Sequence, residues 1–169
     1  QMPNLPGLPP DLCQGWRVTL PSEAEWERAA RGTDGRIHPW GDTFDPDKAN
    51  TRESGIGGTS AVGCFSAGTS PVGLLDASGN VWEWTRSIYG RWDRKKSEVI
   101  DFRKYPYLLS DEYERIIEDN DLLRALRGGS FKHDGVRARC AYRDWYYPYS
   151  GYRDRGFRVM LSPLLLSQP

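Results

Sequence analysis

The sequence predicts a loop-rich domain of the α+β class, with few helices and short antiparallel strands. A length of 169 residues corresponds to about one domain. The 18 glycines and 12 prolines predict many turns between short elements. Hydrophobic residues make up only 38% of the chain, but seven tryptophans and nine tyrosines bury a large area per side chain, so a core can still form.

The first sixteen residues are predicted to be an arm separate from the domain. Four prolines in QMPNLPGLPP exclude a helix, so residues 1–16 should be extended and the domain should occupy residues 17–169. The arm lacks the charged and apolar regions of a signal peptide, and no apolar run in the chain reaches membrane-spanning length. These features favour a cytoplasmic protein, and Gln1 as first residue indicates a trimmed chain.

The clearest helix is PSEAEWERAAR, which runs from Pro21 to the glycine that should end it, Gly32. Ser22 and Glu25 have the spacing of a capping box, in which each side chain bonds the other residue's backbone N–H. The apolar residues at helical spacing, which should face the core, are Trp26, Ala29 and Ala30.

The remaining elements follow from the apolar pattern. A second helix is predicted over residues 110–119, SDEYERIIED, after an irregular insertion at residues 89–109. Short strands are predicted at residues 79–86 (GNVWEWTR), 122–131 (LLRALRGGSF) and 156–161 (GFRVML). The alternation in VWEWT places Trp82 and Trp84 on one strand face, and these two residues and Trp40 are predicted to be core.

Charge and cysteine content limit the classes of partner. Lys and Arg equal Asp and Glu at 23 each, so no net field draws the chain to nucleic acid or to an anionic membrane, and a protein or a small polar ligand fits better. The three cysteines, Cys13, Cys64 and Cys140, are too few and too scattered for a disulfide framework. An odd number also leaves at least one thiol free.

The C-terminal stretch RDWYYPYSGYRDRGFRV, residues 143–159, concentrates aromatic and charged side chains. Pro148 and Gly151 interrupt it, so one strand cannot bury all of the rings on a single face, and its charges would be costly inside the protein. The residues expected to form an exposed patch are Asp144, Trp145, Tyr146, Tyr149, Tyr152 and Asp154. The other predicted ligand contacts are Lys132, His133, Asp134, Tyr142, Tyr147, Ser150 and Arg155.

The composition of this stretch favours binding. Tyrosine and tryptophan give broad contact at a small entropic cost, and serine, glycine and aspartate give adaptable hydrogen bonds, which is the mixture found in antibody binding loops. The alternative is that one or two of Tyr142, Tyr146 and Tyr147 pack against the framework tryptophans instead.

Several motifs follow one another in a fixed order, namely RVTLPSEAEWERAARG, HPWGD, GLLDASGNVWEWT, LRALRGGSF and GFRV. Together they resemble the domain family of formylglycine-generating enzymes, over the stretch from Arg17 to Leu161. The resemblance implies a C-type-lectin-like fold, in which irregular chain surrounds small twisted antiparallel sheets. Family members carry a further helix and strands before the LPSEAEW motif, so the resemblance also implies a minimal or trimmed domain.

The resemblance implies calcium as a cofactor, at two sites. The first would use the side chains of Asp76 and Glu83 and the carbonyls of Gly79 and Val81, in the oxygen-rich turn DASGNVWE. No basic residue lies within that motif, so the two carboxylates would repel each other without a cation. The residues of the second, weaker site would be Asn50, Ser54 and Ile56. A serine stands there in place of the usual carboxylate, and the alternative for both sites is a hydrogen-bonded turn without metal.

The residues that this family needs for catalysis are missing. Its catalytic members oxidise a substrate cysteine with copper held by two thiolates that follow RGGS, but the corresponding stretch here, RGGSFKHDGVRARCAYR, contains only Cys140. One thiol cannot form that site. Cys140 stands where a small packing residue is expected, so it is predicted to be a buried thiol. A related iron-dependent sulfoxide synthase takes its iron ligands from a separate helical domain, so neither copper nor iron is expected.

The segment over residues 130–158 also resembles the variable regions of proteins diversified by retroelements, many of which use this fold. Most of its residues can be reached from asparagine codons when only adenines change, and Trp145 is an exception. Many undiversified family members carry a similar order of residues before GFR, so an ordinary family domain is the alternative.

These observations predict a ligand-binding module without its own catalysis, whose partner contacts residues between Lys132 and Arg155. Two other functions remain open, namely a copper- or iron-dependent oxidase acting on thiols and a regulatory domain cut from a larger protein. Tight copper(I) binding that depends on Cys140 would favour the oxidase.

Overall fold

The computed structural model describes residues 16–103 and 119–163. Nearly all of the proline-rich arm, and all but the last residue of the predicted second helix, lie outside the described residues. Within them the fold is α+β, as predicted, and no helix there has the length and apolar run of a membrane span. In chain order the elements are β1 (Trp16–Thr19), α1 (Glu23–Arg31), β2 (Trp82–Asp93), β3 (Glu98–Ile100), β4 (Leu122–Arg127), β5 (Asp144–Tyr146), β6 (Arg155–Phe157) and β7 (Met160–Pro163).

Helix α1 forms as its capping sequence predicts. The Ser22 hydroxyl accepts a hydrogen bond from the Glu25 N–H (3.1 Å), and the Glu25 carboxylate accepts one from the Ser22 N–H (2.7 Å), so the capping box is complete. Gly32 follows with a φ of +72°, a conformation that costs glycine little and ends the helix. Trp26 and Ala30 are buried, as predicted.

The buried face of α1 is wider than the apolar stripe that the sequence predicts. Glu23 and Glu27 are buried beside Trp26, whereas Ala29 is only half-buried. Both carboxylates pair with the fully buried Arg127 of β4, whose Nη1 lies 3.2 Å from Glu23 Oε1 and whose Nη2 lies 2.5 Å from Glu27 Oε2. The helix therefore docks on the sheet through ion pairs as well as apolar contacts, because buried charges are tolerated when they are paired and hydrogen-bonded.

The strands form two sheets. Strand β1 pairs antiparallel with β7, and the larger sheet has the order β3-β2-β4-β5, with β6 added to β2 in parallel. All six residues of β4 are buried, so this strand is the centre of the domain. Strand β5 lies at the edge of the larger sheet and carries the start of the aromatic C-terminal stretch.

The stretch predicted as an irregular insertion contains a hairpin instead. Strand β2 continues through Asp93 and pairs with β3. Local hydrogen bonds stabilise the turn between them, since Oδ1 of Asp93 accepts from the N–H groups of Lys95 and Lys96. The extension of β2 brings the ring of Trp92 into contact with Trp145 of the C-terminal stretch.

The predicted strands at the end of the chain are shorter than their sequence pattern suggests. GFRVML divides into β6 and β7, because the chain crosses from one sheet to the other at Arg158 and Val159. Strand β4 ends at Arg127 rather than at residue 131, because Gly128 and Gly129 take positive φ angles of +92° and +76° that leave the strand.

Of the three tryptophans predicted to be core, only Trp82 is fully buried, with 2% of its surface exposed. Trp40 and Trp84 are half-buried, which corrects the prediction. Trp82 is covered by the Tyr142 ring, at a centroid distance of 6.0 Å, whereas Trp84 borders an open apolar cleft. Trp40 stacks on the ring of His38. Strand alternation gives the direction of a side chain, but not whether another element covers it.

Candidate binding surface

The aromatic residues of the C-terminal stretch form one continuous surface. Successive ring centroids lie 6.5 Å apart for Trp145 and Tyr146, 6.0 Å for Tyr146 and Tyr147, and 5.3 Å for Tyr147 and Tyr149. Tyr149 is 62% exposed and Tyr152 is 48% exposed, while the other rings are half-buried. We call the following residues the aromatic surface: Trp145, Tyr146, Tyr147, Tyr149, Tyr152 and Arg155.

Arg155 orders the exposed end of the aromatic surface. Its guanidinium carbon lies 3.7 Å from the ring centroid of Tyr146 and 4.0 Å from that of Tyr152. The hydroxyl oxygens of the two tyrosines are 2.8 Å apart, and their hydrogen bond raises the pKa of Tyr146. A guanidinium held between two rings gains cation–π attraction to both, so it fixes side chains that a short loop alone would leave free to rotate.

Trp145 anchors the aromatic surface to the larger sheet. It lies in β5 opposite Ala125 of β4, and its ring centroid is 5.7 Å from that of Trp92 and 6.2 Å from that of Tyr89. Its backbone N–H donates to the half-buried side chain of Asp144 (2.8 Å). Sequence reasoning missed Trp92 and Tyr89 because it assigned both to an insertion. The available signal was that two aromatic residues, Tyr89 and Trp92, follow the apolar strand VWEWT within seven residues.

Arg143 ties the start of the same stretch to helix α1. Its Nε and Nη2 donate to the two carboxylate oxygens of Glu23 at 2.7 and 2.6 Å, and its Nη1 donates to the carbonyl of Arg103 (2.7 Å). A bidentate pair of this kind fixes orientation as well as distance. The stretch therefore starts from a rigid base and ends in an exposed tip.

Lys132, His133 and Asp134, which are also predicted to contact the ligand, form a second group in the loop that follows β4. Lys132 pairs with Asp154 (3.3 Å), and Asp134 pairs with Arg52 (3.4 Å). The predicted exposure of Asp154 is wrong, since only 6% of its surface is exposed. A carboxylate can be buried there because Lys132 supplies the opposite charge. Ser150 is half-buried in the turn between the exposed tyrosines.

His133 is half-buried and contacts the buried residues Trp82 and Ser130. The Trp82 Nε1–H donates to His133 Nδ1 (3.2 Å), and Ser130 Oγ lies 2.8 Å from the same nitrogen. Because an indole N–H can only donate, Nδ1 is an acceptor and the imidazole is neutral. Burial lowers the pKa of His133 and favours the same state.

A serine beside a histidine is also the arrangement of a hydrolytic nucleophile and its base. Ser130, however, has no exposed surface, so its hydroxyl cannot reach a substrate. The Ser130–His133 contact is therefore structural, and it fixes the loop that carries Lys132 and Asp134.

The turn predicted to hold calcium already contacts a cation of the protein itself. Arg158 donates to both carboxylate oxygens of Glu83 at 2.5 Å, and Trp26 Nε1 donates to one of them at 2.6 Å. Nη2 of Arg158 also donates to the carbonyls of Leu75 (3.1 Å) and Asp76 (3.3 Å). The predicted repulsion between Asp76 and Glu83 is therefore wrong, since Arg158, outside the motif, carries the compensating charge.

The same oxygens match calcium in type but leave it little room at Glu83. An ionised carboxylate offers about four lone-pair positions. Three N–H donors occupy three of these positions on Glu83. Asp76 accepts from the Gly63 N–H (2.7 Å) through one oxygen, and Gly79 and Val81 would add carbonyls. This is an oxygen-rich set of the kind that calcium takes. Calcium here stays a prediction.

The second predicted calcium site has its polar groups joined by hydrogen bonds. Asn50 is buried, its Oδ1 accepts from the Ser54 hydroxyl (3.2 Å), and its Nδ2 donates to the carbonyl of Gly58 (2.9 Å). The side chain of Ile56 is exposed. Across the described ranges, no three side chains of His, Cys, Asp or Glu cluster as metal ligands. These contacts favour the turn without metal, and calcium at this site also stays a prediction.

Melting the protein in calcium and in chelator tests both sites. An ion that binds only the folded state stabilises it by RT ln(1 + [L]/Kd), about 2.7 kcal/mol at a hundredfold excess over Kd. Calcium bound at either site should raise the melting temperature, and chelator should lower it. Magnesium at the same concentration is the control, because it is smaller and demands octahedral geometry. Identical curves in calcium and in chelator would remove both sites.

Cys140 is a buried thiol, as predicted. It is 1% exposed and packs in a cluster with Trp26, Ala30 and Ala77. Burial raises the pKa of its thiol to about 12, so the thiol is protonated at neutral pH. Because the thiolate is the reactive and metal-binding form, Cys140 is unsuited to act as a nucleophile or as a copper ligand.

We expect iodoacetamide at about pH 8 to modify Cys64 and to leave Cys140 unmodified in the folded protein, because Cys64 is exposed and Cys140 is buried and protonated. Mass spectrometry of the digested protein measures both sites. In denaturant the two thiols should react alike, which is the control. Equal modification of both thiols in the folded protein would contradict the buried state.

The chain matches one protein family over most of its length. Residues 12–163 match the sulfatase-modifying factor enzyme 1-like domain. The formylglycine-generating enzyme of Thermomonospora curvata is 33% identical over 165 residues, which cover 86% of this chain and 50% of that protein. The inactive C-alpha-formylglycine-generating enzyme 2 of Bos taurus is 42% identical over 91 residues, which cover 47% of this chain and 30% of that protein.

A solved structure shares the fold. Treponema denticola variable protein 1 superimposes with a TM-score of 0.64 at 24% sequence identity, over 86% of this chain and 48% of that chain. The chain thus spans half or less of the length of each of these three proteins. The predicted α+β fold of the formylglycine-generating-enzyme type is confirmed. On this evidence the chain belongs to the sulfatase-modifying factor enzyme 1-like domain family.

Proposed function

We propose that this domain is a ligand-binding module without catalysis of its own, and that its partner lies on the aromatic surface. The observation that carries the proposal is an ordered row of aromatic rings. Its two most exposed members, Tyr149 and Tyr152, have 62% and 48% of their surface exposed. Large contiguous aromatic groups at the surface of a protein commonly mark an interaction site.

The aromatic surface is organised before any partner arrives. Arg155 holds two of its rings, Trp92 supports Trp145, and Arg143 fixes the start of the stretch on Glu23. A surface whose side chains are already ordered loses less entropy on binding, which favours affinity. Tyrosine hydroxyls beside apolar ring faces suit a protein or a polar ligand that offers both kinds of contact.

The geometry of β5 favours recognition through side chains. β5 is a sheet edge, and an exposed edge can pair with a strand of another protein. Here the Trp145 N–H donates to Asp144, so this backbone donor is already used. The partner is therefore expected to contact rings and hydroxyls rather than extend the sheet.

The chemistry of the cysteines argues against the oxidase. Relatives of this chain include proteins named as formylglycine-generating enzymes and proteins named as inactive ones. The copper chemistry needs two thiolates together, whereas Cys140 is buried and protonated and Cys64 is exposed. Copper(I) titration is the discriminating measurement. Tight stoichiometric binding that is lost in Cys140→Ser, together with oxygen consumption on a thiol peptide, would favour the oxidase.

Selection from a phage-displayed library of random peptides tests the proposal. The immobilised domain should select peptides that compete with one another and that do not bind a Tyr149→Ala, Tyr152→Ala double variant. Peptides that bind the wild type and the double variant equally well would place recognition elsewhere and overturn the proposal.

The aromatic surface also suits a diversified region, and the proposal extends to the exposed positions within residues 130–158 as those that vary, whereas buried or ion-paired positions such as Cys140, Arg143 and Asp154 stay constant. The exposed tip stands on a rigid base, so changes at the tip leave the fold intact. The adjoining DNA decides this point. A near-copy of the codons for this segment beside a reverse transcriptase gene would support diversification, and an isolated gene would favour an ordinary family domain.

A further inference from the structure

We infer that a second site, separate from the aromatic surface, binds the phosphate or sulfate group of a ligand. A cavity of about 530 Å³ adjoins the end of α1 and the segment before β5. Its lining residues are Arg31, Arg36, Ile37, Arg139, Ala141, Tyr142 and Arg143. No member of the aromatic surface lines it, so the inference does not rest on the proposed function.

The buried charges behind the cavity leave an excess of positive charge. Glu23 and Glu27 are two carboxylates, and they pair with three guanidinium groups, those of Arg31, Arg127 and Arg143. One positive charge of this network is therefore uncompensated within it. All of these side chains except the partly exposed Arg31 are largely buried, so water screens the charge of the network less than it would at an open surface.

Arg139 adds a further positive charge at the exposed side of the cavity. Its Nε donates to the carbonyl of Val136 (2.8 Å), and its guanidinium carbon lies 6.0 Å from the centroid of the Tyr142 ring. As far as the described residues show, no carboxylate pairs with Arg139 and neither of its Nη atoms has an acceptor. These Nη groups are donors available to a ligand.

The acidic residues near the cavity do not cancel this charge. Asp34 pairs with Arg36 (2.5 Å) and so balances a cation that also lines the cavity. Asp42 accepts a hydrogen bond from the Ile37 N–H (3.1 Å) and offsets one charge. Among the residues that the structure describes, the buried network and Arg139 each leave one positive charge and Asp42 offsets one of the two, so the surroundings of the cavity keep one net positive charge.

The arginines are held in place, which suits an anion with several acceptor oxygens. Arg31 donates to the carbonyls of Arg36 (3.0 Å) and Gly35 (2.7 Å) and to Glu27 (3.0 Å), so its guanidinium is fixed. Fixed guanidinium groups recognise phosphate and sulfate well, because each oxygen can accept from a different N–H. The cavity is larger than either anion, so the group recognised belongs to a larger ligand.

Thermal melting with inorganic phosphate or sulfate as probe tests the site, against chloride at matched ionic strength. We expect a saturable rise in melting temperature of about 5 °C at a hundredfold excess of phosphate over Kd. Arg139→Gln should weaken phosphate binding at least tenfold, because it removes the available donors. Arg17→Gln is the matched control, since it removes the same charge from an exposed position on β1.

Three results would overturn the inference. The first is a melting temperature that does not respond to phosphate or sulfate, and the second is an equal loss of affinity in Arg139→Gln and Arg17→Gln. Acetate that binds as tightly as phosphate would refute a site for tetrahedral dianions. The Tyr149→Ala, Tyr152→Ala variant should retain full phosphate affinity, so failure of the aromatic surface and failure of the cavity are distinguishable.

Discussion

Replacing Glu23 by glutamine is expected to destabilise the domain by about 4 kcal/mol, the largest effect of any single substitution that we predict. Glu23 is fully buried and bonds Arg127 at 3.2 Å and Arg143 at 2.6 Å. Without its charge, the fully buried Arg127 would share Glu27 with Arg31, and Arg143 would lose its pairing with Glu23, so the three cations of the network would remain with one carboxylate. Removing one partner of a buried ion pair is costly because the remaining charge stays buried without compensation.

Chemical denaturation and thermal melting measure this effect, and a loss of about 4 kcal/mol corresponds to a fall in melting temperature of about 10 °C. Asp34→Asn is the control, since it removes an ion pair at the surface and should change stability little. Adding Arg127→Met to Glu23→Gln should recover part of the loss, because it removes the uncompensated cation. A Glu23→Gln variant within about 1 kcal/mol of the wild type would contradict the role of the network.

The sequence predicts helix α1 well and its docking poorly. Ser22, Glu25 and Gly32 act locally, so their pattern is enough to place the start and the end of the helix. Glu23 and Glu25 both lie in the first turn of the helix, where acidic side chains stabilise the helix by complementing its dipole. Only the fold separates them, because the partner of Glu23 is Arg127 on a strand 104 residues further along. A pairing at that distance leaves no periodic signal.

In the candidate site, too, features set by neighbouring residues could be predicted from the sequence, and features set by distant partners could not. The exposure of Tyr149 and Tyr152 follows from proline and glycine in their own stretch, which is local information. The burial of Asp154 depends on Lys132. The compensation of Glu83 depends on Arg158, 75 residues away. Charges that appear unpaired along a sequence can therefore be paired in the fold, and burial cannot be inferred from charge alone.

The second large effect is a loss of binding when Tyr149 and Tyr152 are both replaced by alanine. Central aromatic residues of an interface each contribute about 2 kcal/mol or more when truncated, so the double variant should lose at least a hundredfold in affinity. Tyr149 is 62% exposed and Tyr152 48%, and exposed substitutions cost within about 0.5 kcal/mol of stability each. The contacts of Tyr152 with Tyr146 and Arg155 lie within the aromatic surface, so their loss should loosen that surface and leave the fold intact. Replacing Trp145 would confuse the two effects, because its half-buried ring packs on Trp92.

Calorimetric titration tests whether Tyr149 and Tyr152 form a binding surface. A library-selected peptide is titrated into three proteins, namely the wild type, the Tyr149→Ala, Tyr152→Ala variant and the Phe157→Ala variant. Phe157 is an aromatic residue with 69% of its surface exposed and lies outside the aromatic surface, so it is the matched control. We expect Phe157→Ala to keep the wild-type affinity, and the double variant to lose at least about a hundredfold in affinity and to melt within about 4 °C of the wild type. A double variant that binds as tightly as the wild type, or that unfolds, would contradict the assignment of these tyrosines to a binding surface.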